Sequence, residues 1–480
     1  MGPDMQDITV DLVIHGGTIV SPEAEIRASI AILDGKVHAV GAADAMPPAR
    51  EVLDVTGLHI LPGAIDVHVH FRDPGYPQKE DFQSGTAAAA FGGVTTVFDM
   101  PNTLPTIATP EALAAKHAIA SSKAHVDYGL YAVLGEDTID QVPALIDGGI
   151  IGFKCYMGNT FGRIASPSTG AMLEAFEVVA PTGKRVSLHA ETNSVMERRE
   201  ARLRAAGLTR PLDHLSARPA VVAVEAVSRA AILAEWTGAR IHVLHISSAA
   251  ELQPLAEAKA RGVDITGETC PQYISLSTQD YARFGGVIRV NPPVREPENQ
   301  NPIWDALADG TIDMIATDHA PHSIEEKTRE DIWTVDCGFP GVETQMPMML
   351  TEVANRGASL NDYVRWSAEN PAKVWGLYPQ KGTLMIGSDA DIAIVDVARE
   401  WIVDDAQTQS IAKISPWQGR KVKGLPIHTL VRGRFVMRDR VLQDTKGWGR
   451  SVHDIQRMPP AEPRNVAATM SAILKGTDHG

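Results

Sequence analysis

Cysteine is scarce in this chain of 480 residues, which contains three: Cys155, Cys270 and Cys337. An odd and sparse set does not form the disulfide framework that is typical of small secreted proteins. Long apolar runs are also missing, because no stretch approaches the ~20 residues needed to span a bilayer. The amino terminus is polar and lacks an apolar signal core. We therefore expect a cytoplasmic protein that is not embedded in a membrane.

Positive charge is in deficit: 44 Lys and Arg residues stand against 59 Asp and Glu residues, for a formal net charge of -15. This balance argues against nucleic acid and anionic membranes as main partners. Hydrophobic residues make up 44% and charged residues 21%, as in ordinary globular proteins. A small molecule is the expected partner.

Short strand-like segments stand at both ends of the chain, separated by Gly, Pro and Asp-Gly turns. Near the amino terminus they are D-L-V-I-H, G-T-I-V and A-S-I-A-I-L, between Asp11 and His59. Near the carboxyl terminus they are Asp389–Val395, His428–Val431 and Arg434–Met437. This arrangement predicts one small β-sandwich built from both termini.

The middle of the chain alternates strands and helices, with helical runs such as Ser84–Phe91 and Val221–Trp236. Eight βα units favour a closed TIM (β/α)8 barrel. The eight predicted strands are Ile65–His70, Val94–Asp99, Val126–Val133, Ile150–Cys155, Arg185–His189, Ile241–His245, Val263–Glu268 and Ile312–Thr317. The predicted domains are the sandwich at 1–60 and 381–445, the metal-binding barrel at 61–380, and a tail at 446–480 with a short helix, Val466–Leu474.

An H-x-H pair, His68 and His70, ends the first barrel strand in D-V-H-V-H-F-R. Side chains alternate across a strand, so both imidazoles point to the same side and can grip one metal. An isolated pair of this kind could equally be two ordinary histidines. A metal site is indicated only if other candidate ligands lie at the same rim of the barrel.

Three further candidate ligands follow later strands, at the carboxyl ends where barrel active sites form. Strand five ends at His189, strand six at His245, and Asp318 follows strand eight in A-T-D-H-A-P-H. His242 lies on the opposite face of strand six, and we interpret it as structural. Together these residues predict a metal site on one rim of the barrel.

Lys154 ends the fourth strand, in G-F-K-C-Y-M-G. An ammonium is a poor metal ligand and would repel nearby cations. One interpretation is a lysine whose charged head reaches solvent. The other is a lysine that has reacted with carbon dioxide to form a carbamate, whose two oxygens could bridge two metals. The residues themselves leave both open.

The chain resembles the cyclic amidohydrolases, a group of dihydroorotases, allantoinases, hydantoinases and dihydropyrimidinases. The resemblance runs from about Asp11 to Arg450 and depends on many motifs in order. They include L-P-G-A-I-D-V-H-V-H-F-R-D-P-G, F-D-M-P-N-T, G-F-K-C-Y-M-G, S-L-H-A-E, V-L-H-I-S-S, G-E-T-C-P-Q-Y, R-V-N-P-P-V-R, A-T-D-H-A-P-H, G-F-P-G-V-E-T, E-N-P-A-K-V-W-G-L and G-S-D-A-D-I-A-I-V-D.

The resemblance implies a binuclear site with two Zn²⁺ or other divalent metals per subunit, bridged by a hydroxide. One metal would be held by His68, His70, carbamylated Lys154 and Asp318. The other would be held by Lys154, His189 and His245. Two metals lower the pKa of bound water and polarise a ring carbonyl. Asp318 would act as the catalytic base and then as the acid toward the departing nitrogen.

Three residues favour a ring that carries a carboxylate: Arg72, Asn102 and His322. Dihydroorotases recognise that group through an Arg after the H-x-H pair, an Asn in M-P-N and a His in D-H-A-P-H. The planar guanidinium of an Arg can donate two parallel hydrogen bonds to a carboxylate. Each residue also has a structural interpretation: an ion pair of Arg72 with Asp73 or Glu80, a turn at Asn102, and a helix start at His322. Dihydroorotase is the first choice of function.

The loop after Lys154 favours the alternatives, hydantoinase or dihydropyrimidinase and allantoinase, because it is long. Hydantoinases usually carry a Tyr five residues after the lysine, where Asn159 stands here. Tyr156 shares the strand phase of Lys154 and either points inward or packs in the barrel. Asn291 is expected to line the pocket, or simply to shape the turn before Pro292 and Pro293.

Two further expectations concern the class of protein and its assembly. Some relatives have lost metal ligands and serve as non-catalytic scaffolds, but this chain keeps every expected ligand. The family resemblance also implies a homo-oligomer, a dimer or a tetramer.

Overall fold

The computed structural model describes residues 8–162 and 164–458, so the predicted helix Val466–Leu474 lies outside the described residues. In those ranges the strands, in chain order, are β1 (Val10–His15), β2 (Thr18–Val20), β3 (Glu25–Arg27), β4 (Ser29–Leu33), β5 (Lys36–Gly41), β6 (Ala49–Asp54), β7 (His59–Pro62), β8 (Ala64–Val69), β9 (Val94–Asp99), β10 (Asp127–Val133), β11 (Gly152–Tyr156), β12 (Arg185–His189), β13 (Arg240–Val243), β14 (Ile265–Thr269), β15 (Met314–Ile315), β16 (Ile392–Ile402), β17 (Lys421–Val431), β18 (Arg434–Arg438) and β19 (Val441–Leu442).

The helices alternate with the middle strands, and a π-helical turn joins the last two. They are α1 (Phe82–Phe91), α2 (Pro110–Lys123), α3 (Val142–Asp147), α4 (Thr169–Val179), α5 (Asn193–Ala205), α6 (Pro211–Ala217), α7 (Ala220–Thr237), α8 (Leu252–Ala260), α9 (Pro271–Ser275), α10 (Tyr281–Phe284), α11 (Gln300–Asp309), α12 (Ile324–Lys327), α13 (Gln345–Arg356), α14 (Leu360–Val364) and α15 (Asn370–Val374).

The barrel is a sheet of eight parallel strands, β8 to β15, each beside its neighbour in the sequence. A parallel bridge between Val69 and His319 joins the last strand to the first, and the His70 N–H donates to the His319 carbonyl at 2.7 Å. All eight predicted strands are present, and the predicted fold class is confirmed.

Two barrel strands end two residues before their predicted carboxyl ends. β13 ends at Val243, before His245, and β15 covers Met314–Ile315 alone. The backbone leaves the ladder because His245 and Asp318 have φ of 40° and 51°. Non-glycine residues rarely adopt this left-handed conformation, which cannot continue a strand. The early carboxyl ends of β13 and β15 therefore lie just before the turns that hold two candidate ligands.

Local sequence fixes where the first barrel helix begins. Asp81 accepts a hydrogen bond from the Ser84 N–H at 2.8 Å, and the Ser84 hydroxyl accepts one from the Asp81 N–H at 3.2 Å. This capping box satisfies amide groups that the helix leaves unpaired. Alanines 87–90 are buried, and their small size lets α1 lie close to the barrel.

The two remaining sheets form the sandwich and come from both ends of the chain, as predicted. One has the strand order β5-β4-β1-β6, and the other β19-β18-β17-β16-β7-β2-β3. Their facing sides share a buried apolar cluster that includes Ile14, Ile32, Ile60, Ile394 and Leu430. The exact domain boundaries stay a prediction.

The part of the predicted tail that the structure describes runs against the barrel. The Tyr128 N–H donates to the Arg450 carbonyl at 2.9 Å, and the Val452 N–H donates to the Tyr128 carbonyl at 2.9 Å. Residues 450–452 therefore add backbone pairing to β10.

A buried ion cluster connects the barrel to the sandwich. Lys381 lies with its Nζ 2.7 Å from Asp127 Oδ2 and 2.6 Å from Asp391 Oδ2.

Removing one partner of a buried pair leaves uncompensated charge, so Lys381→Met should lower the free energy of unfolding by about 3–5 kcal/mol. The control is Lys36→Met. Lys36 pairs with Asp389 but its side chain is 46% exposed, so about 1 kcal/mol or less is expected. Chemical denaturation measures the free energy of unfolding of both variants. An equal loss of stability in the two would contradict a larger contribution from the buried Lys381 cluster than from the exposed Lys36 pair.

Candidate metal centre and substrate pocket

Four imidazole rings converge at the carboxyl ends of the barrel strands. The ring centroids of His68 and His70 are 5.3 Å apart, those of His68 and His245 are 5.3 Å apart, and those of His189 and His245 are 4.8 Å apart. All four side chains are buried. The structure thus brings together four histidines that are spread over 177 sequence positions.

Asp318 meets the H-x-H pair at one oxygen. Its Oδ1 lies 3.2 Å from His68 Nε2 and 3.1 Å from His70 Nε2. These three residues offer ligand atoms close enough to surround one metal ion. Imidazole nitrogen and carboxylate oxygen are the donors that zinc and similar divalent metals accept in catalytic sites.

The other nitrogen of each ring in the pair is held by a second residue. His68 Nδ1 lies 2.6 Å from Glu268 Oε1, and His70 Nδ1 donates to Asn102 Oδ1 at 2.7 Å. Such contacts fix the tautomer and aim the free nitrogen at a metal. Asn102 was predicted to bind substrate. In the structure its amide also donates to the Phe161 carbonyl at 3.2 Å, so both of its ends are engaged.

His189 is oriented in the opposite sense. Its Nε2 lies 3.0 Å from Glu191 Oε2, and Arg218 pairs with the same carboxylate. Its Nδ1 faces His245 Nε2 at 2.9 Å. His189 Nδ1 and His245 Nε2 therefore form a second set of candidate metal ligands, next to the set formed by His68, His70 and Asp318.

Lys154 is 1% exposed, which is incompatible with a lysine that reaches solvent. Its Nζ lies 5.0 Å from the centre of the Tyr156 ring. Burial lowers the pKa of Lys154 to about 8, although the charges of Asp318 and Glu268 act in the opposite direction. A neutral amine is the form that can react with carbon dioxide, so this pKa makes that form accessible near neutral pH.

Negative charge exceeds positive charge in this part of the barrel. Asp66, Glu268 and Asp318 are buried around Lys154. Burial raises the pKa of Asp66 to about 7 and that of Asp318 to about 7. With the three carboxyls ionised, a carbamate on Lys154 would bring the cluster to four negative charges, and two divalent cations would favour this ionised state. The donor set and its charge therefore fit a binuclear metal centre.

Arg72 enters the same pocket from a left-handed backbone position, with φ of 60°. It is buried, and its Nε and Nη1 have no hydrogen-bond partner among the described residues. The two carboxylates that could have paired with it are engaged elsewhere: Asp73 with Lys123 at 2.7 Å, and Glu80 with Ser410. The ion-pair interpretation of Arg72 is therefore wrong, and its guanidinium is available to a ligand.

The pocket is lined by nearly all predicted site residues. They are His68, His70, Arg72, Asn102, Lys154, Tyr156, His189, His245, Asn291 and Asp318. His322 lies behind Arg72 instead, with its Nε2 at 3.2 Å from Arg72 Nη2. A vestibule of about 730 Å³ adjoins the pocket.

Tyr156 and Asn291 take up positions that the sequence left open. The Tyr156 hydroxyl is buried and has no hydrogen-bond partner among the described residues. Asn291 is fixed by His214, whose Nε2 donates to its Oδ1 at 2.9 Å. Tyr156 therefore offers a free donor to the pocket, whereas the side-chain oxygen of Asn291 is already bonded.

Sequence reasoning missed the carboxylates that orient the histidines. Glu268 contacts His68 and also lies 3.0 Å from His242 Nε2, which explains why His242 is structural. Glu268 ends the seventh predicted strand, to which no ligand was assigned, and this position was the available signal. Glu191 stands two residues after His189 in S-L-H-A-E.

No helix in the described residues is both long enough and apolar enough to cross a membrane.

The chain is similar to known proteins that are named hydantoinase and allantoinase. The L-hydantoinase of Paenarthrobacter aurescens is 34% identical over 92% of this chain and 98% of its own length. The allantoinase of Deinococcus radiodurans is 35% identical over 89% of this chain and 96% of its own length. Among solved structures, the L-hydantoinase (dihydropyrimidinase) from Arthrobacter aurescens matches with a TM-score of 0.89 and 34% identity, covering 92% of this chain and 99% of the other.

The family model described as the amidohydrolase family matches residues 59–436, which include the whole barrel and the first strands of the sandwich's carboxyl-terminal part. The chain belongs to the amidohydrolase family.

Proposed function

We propose that this protein is a metal-dependent hydrolase that opens the cyclic amide of a hydantoin, allantoin or dihydropyrimidine ring. The observation that carries the proposal is the convergence of four imidazoles, Asp318 and buried Lys154 in one pocket. The relatives named hydantoinase and allantoinase support these rings. They do not support dihydroorotase as the first choice, which the sequence favoured, and the stated alternative fits better.

The residues that would hold two divalent metals fall into two sets. His68, His70 and Asp318 form the first set, and His189 and His245 form the second. Lys154, as a carbamate, would bridge them: its neutral nitrogen attacks the carbon of carbon dioxide and releases one proton. When bound, the metals supply Lewis acidity toward the ring carbonyl and toward the attacking water. Zinc suits this donor set.

Asp318 is the proposed catalytic residue. Its Oδ1 faces the His68 and His70 nitrogens, so Oδ2 remains to accept a proton from the attacking water. The water oxygen bonds to the carbonyl carbon, the ring carbon–nitrogen bond breaks, and Asp318 returns the proton to the departing nitrogen. The Tyr156 hydroxyl, which has no partner among the described residues, would donate to the oxygen that becomes negative.

A second candidate is a ring that carries an acidic substituent, such as dihydroorotate. The observation that favours it is Arg72, whose Nε and Nη1 are buried without partners. A buried donor that lacks an acceptor costs about 1–3 kcal/mol, and more for a charged group. A carboxylate is the acceptor that matches a guanidinium fork. This candidate differs from the first only in the acidic substituent on the ring, and the amide bond that is broken is the same in both.

The cytoplasmic location and the dimeric or tetrameric assembly stay predictions. The scaffold alternative predicts a folded chain that binds no metal and turns over no cyclic amide.

Asp318→Asn tests the proposed catalyst. The amide cannot take the proton, so kcat on the best ring should fall by roughly 100- to 10,000-fold. Metal content is measured on the same sample, because Asn can still contribute an oxygen ligand. Near-normal turnover by a variant that retains its metals would remove Asp318 from this role.

Matched pairs of rings test the proposed substituent. Dihydrouracil and dihydroorotate differ by one carboxylate, and hydantoin-5-carboxylate carries a carboxylate where 5-methylhydantoin has a methyl group. If Arg72 binds the carboxylate, Arg72→Gln should lower kcat/KM on the acidic member by about 10- to 100-fold, since hydrogen bonds between charged groups contribute about 1.5–3 kcal/mol. The uncharged member serves as the control. Equal losses on both members, or a wild-type preference for uncharged rings, would overturn the acidic substituent.

A further inference from the structure

A buried lysine that the mechanism does not use lies behind Arg72. The Nζ of Lys79 lies 3.0 Å from His322 Nδ1, 2.8 Å from Glu326 Oε1 and 3.1 Å from Asp336 Oδ2. Lys79 is 6% exposed, its two carboxylate partners are partly exposed, and all three residues line the vestibule. The two carboxylates balance its charge, and the imidazole is its third partner.

The contacts of His322 determine which ring nitrogen carries the proton. An ammonium can only donate, so Nδ1 of His322 accepts from Lys79. The Cys337 carbonyl can only accept, and it lies 3.0 Å from His322 Nε2, so Nε2 carries the hydrogen. Burial holds the pKa of His322 well below its usual value; the contact with Glu326 acts in the opposite direction, and the charges of Arg72, Lys79 and Lys327 add to the lowering. The ring is therefore neutral, with its hydrogen on Nε2.

This tautomer has a consequence for Arg72. Nη2 of Arg72 lies 3.2 Å from His322 Nε2, but both atoms carry hydrogen and neither can accept. The contact is therefore not a hydrogen bond, and it adds to the Nε and Nη1 groups of Arg72 that have no partner among the described residues. With the hydrogen on Nδ1 instead, Nε2 would accept from Arg72 and engage its guanidinium.

Without Lys79, the opposite tautomer would gain partners. Nδ1 of His322 lies 3.6 Å from Glu326 Oε2 and 3.5 Å from Asp336 Oδ2, so a hydrogen on Nδ1 would face two carboxylates. Lys79 occupies that side as a donor and excludes this arrangement.

We propose that Lys79 is a positioning residue that fixes the tautomer of His322 and thereby keeps the Arg72 guanidinium free for an acidic group on the substrate. This inference rests on the proposed hydrolase function and on its acidic-substituent candidate. It adds a residue that acts through His322 rather than as a ligand of the substrate's acidic group.

The tautomer can be measured without substrate, by ¹⁵N NMR of the metal-loaded protein labelled at histidine. The His322 signals are assigned by their loss in His322→Leu. In the wild type we expect hydrogen on Nε2, and in Lys79→Met a change to hydrogen on Nδ1 or on both nitrogens. Hydrogen on Nδ1 in the wild type would overturn the proposal even if Lys79→Met fails to fold. An unchanged tautomer in Lys79→Met would also overturn it.

Kinetics then separate the tautomer from the plain loss of a positive charge. Lys79→Met should raise KM for the acidic ring about tenfold, because a competing hydrogen bond to Arg72 must be broken. In a His322→Leu background the same change should raise KM by less than about threefold, since no ring nitrogen can compete. An equal rise in both backgrounds would show that Lys79 acts through charge alone and would overturn the proposal.

Arg204→Gln is the matched control. Arg204 lines the same vestibule and pairs with Glu200, so its loss removes one positive charge without touching His322. We expect an unchanged tautomer and little change in KM for the acidic ring. If the wild type opens no acidic ring, the acidic-substituent candidate fails, whereas the tautomer measurement still tests Lys79.

Discussion

Charge balance inside the barrel constrains the rest of the site. Asp66, Glu268 and Asp318 are buried near the ammonium of Lys154, at the base of the pocket. Isolated buried carboxylates are costly, and the raised pKa of Asp66 and of Asp318, about 7 in each case, expresses that cost. Two divalent cations and a carbamate at Lys154 would give each charge a partner. Among these carboxylates, Glu268 orients His68, and Asp318 is itself a candidate ligand.

Three of the seven non-glycine residues with positive φ in the described part of the chain lie at this rim. Arg72, His245 and Asp318 all have φ between 40° and 60°, which costs about 1–3 kcal/mol for each non-glycine residue. The strands beneath these residues are buried, and the surrounding structure maintains these conformations. The strand ends thereby deliver the candidate metal ligands to a single pocket.

Much of this arrangement could be predicted from the sequence, because strand phase and strand ends are local properties. His68, His70, His189, His245 and Asp318 follow from the alternation of barrel strands, and the structure places them together. The lengths of β13 and β15 could not be predicted, since they depend on left-handed turns that no single residue type signals.

Contacts between distant segments were beyond sequence reasoning. His322 and Lys79 lie 243 positions apart, and Glu268 lies 200 positions from His68, whose ring it orients. Likewise, Asn102 appeared as a substrate ligand from its motif, whereas its Oδ1 holds His70. The substrate ring was the least predictable feature, because it depends on a few donors whose partners are set only by the folded pocket.

The most direct test of the account is the number of metal ions that the metal-free protein takes up with and without bicarbonate. The titration with zinc is carried out at a pH above the pKa of Lys154, about 8, so that its amine is neutral. Metal bound per chain is counted by plasma mass spectrometry. The account predicts two zinc ions per chain with bicarbonate and fewer than two in solutions freed of carbon dioxide. Two tightly bound ions without carbon dioxide would contradict the bridging carbamate.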